Sequence, residues 1–184
     1  MNRSMLDKLI SSTGLIIAVL LLAAAGGLFY AHNFIHGQVH DQLAAEQISF
    51  PAADSPALKS LPEADRNAMS QYAGQQLLTG AQAEVFADHY IAVHLKNIGG
   101  GQTYSALSAA SMANPSDQAL AGKVQTVFRG ETLRGLLLNA YAFDTMASVA
   151  YIAAFVSAVT GLILLILALF GFRHAGLTTT KRRK

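Results

Sequence analysis

The sequence predicts an all-α protein: two transmembrane helices with an extracytoplasmic helical bundle inserted between them. Three observations carry that reading. Two long runs, Leu9–Ala31 and Thr145–Phe172, contain no Asp, Glu, Lys, Arg or His. The segment between them shows helix caps and helical apolar spacing, with almost no alternating strand pattern. The composition is 52% apolar and 13% charged, with a mean hydropathy of +0.35, which suits a membrane protein with one modest polar domain.

Residues 1–8 read as a cytoplasmic N-terminus and 9–31 as the first span. A helix rises about 1.5 Å per residue, so roughly 20 apolar residues cross a ~30 Å hydrocarbon core. Arg3 and Lys8 before this run, with Ala23-Ala24-Ala25-Gly26 inside it, also fit a cleavable signal peptide. The apolar region of such a signal is only about 7–15 residues long. This run instead continues to Phe29 and Tyr30, which suit an interfacial aromatic belt. An uncleaved signal anchor is therefore preferred, with cleavage as the alternative.

Basic residues set the orientation. Arg3 and Lys8 flank the first span, and Arg173, Lys181, Arg182, Arg183 and Lys184 follow the second, whereas only Asp7 of the 11 acidic residues lies in these flanks. Cationic flanks stay in the cytoplasm. The expectation is a cell-membrane protein with both termini inside, an extracytoplasmic 32–144 domain, a second span over 145–172 and a basic cytoplasmic tail over 173–184. The pI of about 9.0 does not indicate nucleic acid, because the cations sit at the ends and form no basic face interleaved with aromatics. The partners expected are the lipid bilayer and either another membrane protein or further copies of the chain. With no cysteine, an exported domain depends on packing alone.

Small residues recur every four positions on both spans, at Ala23, Gly27 and Ala31 and at Ala150, Ala154 and Ala158. Such ridges allow close backbone approach where lipid supplies no hydrophobic drive. The two spans are expected to pack on each other, with packing against another subunit as the alternative.

His32, His36 and His40 come after the first span at i, i+4 and i+8, one stripe of a continuing helix. Two of them at i, i+4 could share zinc, with the third and Asp41 or Glu46 completing four ligands, or the stripe could respond to pH. Gly37 weakens the helix and no other ligand is fixed nearby, so a solvated face is the preferred reading. No cofactor or metal is predicted.

Pro51 and Pro56 mark a connection over Ile48–Ala57. Ser60-Leu61-Pro62-Glu63 then has the spacing of a capping box, predicting a helix that continues to Ile98 with a bend at Gly80. Gly99-Gly100-Gly101 ends it, with Gly99 as the left-handed residue. Between Val85 and Ile98 apolar residues fall on two sides of the helix, as expected for burial between partners. His89 and His94 lie about 140° apart around it and form no ligand pair. The triple glycine lacks the Lys-Ser/Thr of a phosphate loop, and Ser105 lacks a nucleophile-elbow context.

Thr103–Met112 predicts a short helix. Asn114 as N-cap and Pro115 at the first helical position predict a restart, and no proline occurs beyond it, so one helix could run on through the second span. Glu131 and Arg134 fall on its apolar stripe of Leu120, Val124, Val127 and Leu138, between Gly130 and Gly135. At i, i+3 they can pair. The glycines either kink the helix and turn the pair to solvent, or the pair acts as a polar lock or partner contact. Tyr141 and Tyr151 are expected as interface anchors.

The runs Ala87-Asp88-His89-Tyr90-Ile91-Ala92-Val93-His94-Leu95, Gly99-Gly100-Gly101, Thr103-Tyr104-Ser105 and Gly130-Glu131-Thr132-Leu133-Arg134-Gly135-Leu136-Leu137-Leu138-Asn139-Ala140-Tyr141-Ala142-Phe143 resemble small two-span envelope proteins of actinobacterial genomes, a family of unassigned function. The resemblance implies the architecture and an envelope setting. It implies no activity and carries over no site residue.

The function expected is that of a non-enzymatic integral membrane protein, an accessory or scaffold subunit of a cell-envelope complex. The alternative is a ligand- or pH-sensing outer domain that signals through a partner. A third reading is an oligomeric channel or transporter component lined by Ser148, Ser157 and Thr160.

Overall fold

Backbone hydrogen bonding closes almost entirely within helices. The computed structural model describes residues Arg3–Lys181, with side chains from Ser4 to Gly176; Asn2 and the cations Arg182, Arg183 and Lys184 lie outside the described residues. The elements are α1 (Arg3–Glu46), α2 (Pro56–Lys59), α3 (Glu63–Ser70), α4 (Gly80–Phe86), a π-helical turn (Ala87–Ile91), α5 (Ala92–Gly99), α6 (Tyr104–Ala113) and α7 (Gln118–Lys181). Among the described residues the only extended pairing is an isolated antiparallel bridge between Ser49 and Gln76.

Helices α1 and α7 are each long and apolar enough to cross a membrane. Their qualifying 18-residue windows are only 11% and 17% buried. A core helix of a water-soluble protein would bury most of that surface; these helices turn theirs outward.

The chain forms two compact units, one of Met1–Phe34 with Met146–Lys184 and the other of Ile35–Thr145. In the first, segments of α1 and α7 lie antiparallel. Ser4 Oγ donates to the Ala175 carbonyl at 3.4 Å, and a Cβ on Gly14 would lie 3.9 Å from that of Ala168. Toward the other end of the pair, His32 Nδ1 bonds the Ala147 carbonyl at 2.9 Å. The seam is built from small residues seven apart: Ser11, Ala18 and Ala25 are buried on α1, and Ala147, Ala154, Gly161, Ala168 and Ala175 on α7. Gly161 lies at a tight point of this seam, where a Cβ would stand 3.0 Å from Leu22 and 3.2 Å from the Ala18 carbonyl. A seven-residue recurrence is the pattern of coiled packing, in which the 3.5-residue repeat keeps one seam facing the partner helix.

In the second unit, Val39 and Leu43 of α1 and Leu137 of α7 join Phe50, Leu58, Leu61, Met69, Leu77, Phe86, Ile91 and Leu95 in one core. Phe86 meets Phe50 edge-on at 5.3 Å between ring centroids, and Phe50 lies 5.2 Å from Tyr72. Such edge contacts are favoured by the ring quadrupole.

Several local expectations are revised. No helix runs unbroken from Ser60 to Ile98. Ser60 instead closes α2, its hydroxyl donating to the Ala57 carbonyl, and α3 begins after Pro62 with no side-chain cap. The chain then turns, with Gly74 at φ +73°, before restarting at α4. There the capping box is Thr79 with Gln82: each side chain engages the other's backbone N–H. The left-handed residue after α5 is Gly100, at φ +60°. Asn114 caps the end of α6, and the Asp117 carboxylate accepts from the Leu120 N–H at 2.9 Å to start α7. The carboxylate satisfies an N–H that otherwise lacks a helical partner, which is why α7 starts after Asp117.

Candidate functional site

The chemistry-bearing side chains of the 35–145 unit gather where α7 meets the helix formed by α4, the π turn and α5. Asp144 of α7 is the first centre. Its Oδ2 accepts from the backbone N–H of Gly80 at 3.2 Å, the first residue of α4. Its Oδ1 lies 2.7 Å from His36 Nδ1, where a carboxylate requires the nitrogen to donate. Asp144 is 16% exposed and His36 54%. A carboxylate at the start of a helix suits both the unpaired N–H groups and the helix dipole. One side chain thus ties α1, α4 and α7.

The second centre is the π turn. An extra residue in the turn shifts the angular position of every later side chain on that helix, and here consecutive residues serve different partners. Asp88 Oδ1 accepts from Arg134 Nη2 at 2.7 Å and from Nε at 3.2 Å. His89 Nδ1 lies 2.8 Å from Asp65 Oδ1 on α3. Ala87 and Ile91 are buried in the core beneath them. The turn therefore links α7 through Asp88 and α3 through His89.

Arg134 and Glu131 do meet as an i, i+3 pair, at 3.7 Å, but the guanidinium makes its short contact with Asp88. Helix α7 is continuous through Gly130 and Gly135, with Arg134 32% and Glu131 46% exposed, and Gly130 sits against Leu95, where a side chain would collide. The histidine stripe divides. His32 bonds the Ala147 carbonyl within the 1–34/146–184 unit, His36 reaches Asp144, and His40 reaches its neighbour Asp41 at 3.2 Å. Among the described residues, no three His, Asp or Glu side chains converge as a metal site. Asp88 and Asp144 carried no local signal, because both act through partners distant in sequence.

Of the small residues singled out on the spans, Ala154 is buried and Ala31, Ala150 and Ala158 are half-buried, whereas Ala23 and Gly27 are exposed. Of the hydroxyls offered as pore lining, Ser157 is half-buried, and Ser148 and Thr160 are exposed on the single chain.

Beside these centres lies an apolar cleft of about 270 Å³, lined chiefly by Val39, Leu43, Ile48, Leu136, Ala140 and Phe143. Leu136 is 61% exposed and Phe143 54%, while Glu46 and Asn139 supply polar groups to its lining. Apolar side chains this open, beside a concave surface, are suited to accept a complementary apolar element.

None of the family models, curated proteins or solved structures compared with this chain matches it.

Proposed function

We propose that this chain is a non-enzymatic integral membrane protein, an accessory or scaffold subunit of a cell-envelope complex. Its termini are cytoplasmic and its 35–145 unit is the extracytoplasmic partner-binding part. The observation that carries the scaffold reading is the cleft with Leu136 and Phe143 exposed beside it. Two further features support it. The polar contacts of that unit, Asp144 with His36 and Asp88 with Arg134, tie helix to helix. The positions of Arg173 and the Lys181–Lys184 run fit a cytoplasmic C-terminus. The envelope setting rests on the resemblance of the second half of the chain to two-span actinobacterial proteins.

Photocrosslinking from position 143 in intact cells, then purification in mild detergent, tests this. A discrete adduct with another envelope protein, absent for a probe at exposed Asp54, is expected. A strictly monomeric protein with no adduct contradicts the reading.

A second reading, a pH-sensing outer unit, is favoured by the contact of His36 with Asp144. The two carry opposite charges only when the imidazole is protonated. Hydrogen exchange at Gly80–Phe86 should then slow on acidification, after correction for intrinsic exchange. The same measurement on His36→Gln should show no such slowing; identical profiles remove this reading.

A further inference from the structure

The 1–34/146–184 unit has an acidic group set into its mainly apolar seam. Asp7 of α1 and His174 of α7 line a cavity of about 270 Å³ with Ser11, Ile10, Leu164 and Leu167. The Oδ2 atom of Asp7 is buried and has no hydrogen-bond partner among the described residues. His174 Nδ1 stands 3.4 Å away, within ion-pair range but not aligned as a hydrogen bond. A buried carboxylate oxygen without a donor is unfavourable, and a donor entering the cavity would relieve it.

The remainder of the cavity states what kind of molecule brings that donor. Ile10 and Leu167 are exposed along its length, and the wall from Asp7 to Gly14 covers about 10 Å of helix. Charge and hydrogen-bond capacity lie at one end and apolar surface continues from it. An amphiphile with a cationic, hydrogen-donating head matches both. A primary ammonium offers three N–H donors and a positive charge; a quaternary ammonium offers the charge without a donor.

We propose that this cavity holds the primary-ammonium headgroup of an aminophospholipid on Asp7, with an acyl chain lying along Ile10, Leu164 and Leu167. The inference rests on the reading of α1 and α7 as membrane spans. Ser11 and His174 line the polar end, and Gly171 leaves room for the Ser11 hydroxyl, which a side chain there would meet.

The test uses the full chain in nanodiscs containing equal phosphatidylethanolamine and phosphatidylcholine with identical acyl chains, read by native mass spectrometry of retained lipid. Ethanolamine lipid should be enriched about tenfold over choline lipid, the scale of one charge-assisted hydrogen bond. The Asp7→Asn protein should lose the enrichment, and Asp41→Asn should keep it. Leu167→Trp, which fills the apolar part at an exposed position, should reduce it without touching the carboxylate. Free ethanolamine should not displace the lipid. Equal retention of both lipids, or undiminished enrichment in both Asp7→Asn and Leu167→Trp, overturns the proposal. Displacement by free ethanolamine overturns the lipid assignment in favour of a soluble amine. Alkaline carbonate extraction of wild-type membranes separates the two levels: release of the protein defeats the membrane reading, whereas an integral protein without lipid preference defeats this inference alone.

Discussion

Gly80 and Asp144 approach so closely that no side chain fits on the glycine: a Cβ there would overlap the Cβ and carboxylate of Asp144. The same approach brings the Gly80 N–H to the carboxylate at 3.2 Å. Close packing and the hydrogen bond therefore depend on one another. Gly80→Ala is expected to lower unfolding stability by about 1–3 kcal/mol through overpacking. Gly37→Ala, where nothing lies within 4 Å, should be neutral or slightly stabilising. Denaturation of both proteins monitored by circular dichroism compares them, and equal effects would contradict the close approach.

Arg134 should matter more to stability than Glu131, its neighbour one helical turn away. The guanidinium makes two hydrogen bonds to Asp88 but stands 3.7 Å from Glu131. With Arg134 32% and Asp88 38% exposed, solvent screens the pair, and Arg134→Ala should cost about 1 kcal/mol or less. Glu131→Gln should change stability by only a few tenths of a kcal/mol. The Arg134 effect should shrink in high salt. A larger loss from Glu131→Gln would reverse the assignment.

The antiparallel register can be read by crosslinking, since the chain has no cysteine of its own. A Cβ at Gly14 would lie 3.9 Å from that of Ala168, inside the roughly 3.5–4.5 Å range of disulfides. Gly14→Cys combined with Ala168→Cys should close within one chain on mild oxidation, giving a mobility shift that reductant reverses. Gly27→Cys with Ala168→Cys should not. Crosslinks found only between chains would contradict the register.

Thr79 caps α4 in a reciprocal box with Gln82, so Thr79→Ala should cost about 1 kcal/mol in thermal or chemical denaturation. Ser60→Ala should cost much less, because its exposed hydroxyl bonds only the carbonyl of Ala57. The opposite ranking would restore the capping box of Ser60 with Glu63.

These contrasts mark what was legible in the sequence. The two long apolar helices arise from local chemistry: uninterrupted apolar runs, and no proline after Pro115. A short helix after Thr103 and a left-handed glycine after α5 were equally local, although the glycine is Gly100, one residue beyond the expected position. The seam between the spans was not legible in this way. A four-residue spacing of small residues directs attention to Ala23 and Gly27, but coiled packing buries Ser11, Ala18 and Ala25 instead. His36 was visible as a candidate, whereas its partner lies 108 residues away and depends on how α1 meets α7. The π turn breaks the 3.6-residue period, so a periodic reading of Val85–Ile98 could not place Asp88 against Arg134 and His89 against Asp65.

The seven-residue seam leaves one question that small residues cannot answer by themselves. Slide one span past the other by a heptad and small again faces small over most of the length, about 10 Å out of place. The seam is a ruler with identical marks, and the numbers are written at its ends. The bond of Ser4 to the Ala175 carbonyl, the approach of Asp7 to His174 and the bond of His32 to the Ala147 carbonyl coincide in a single alignment. The polar residues at the two rims thus select one setting from a set the apolar interior treats as nearly equivalent.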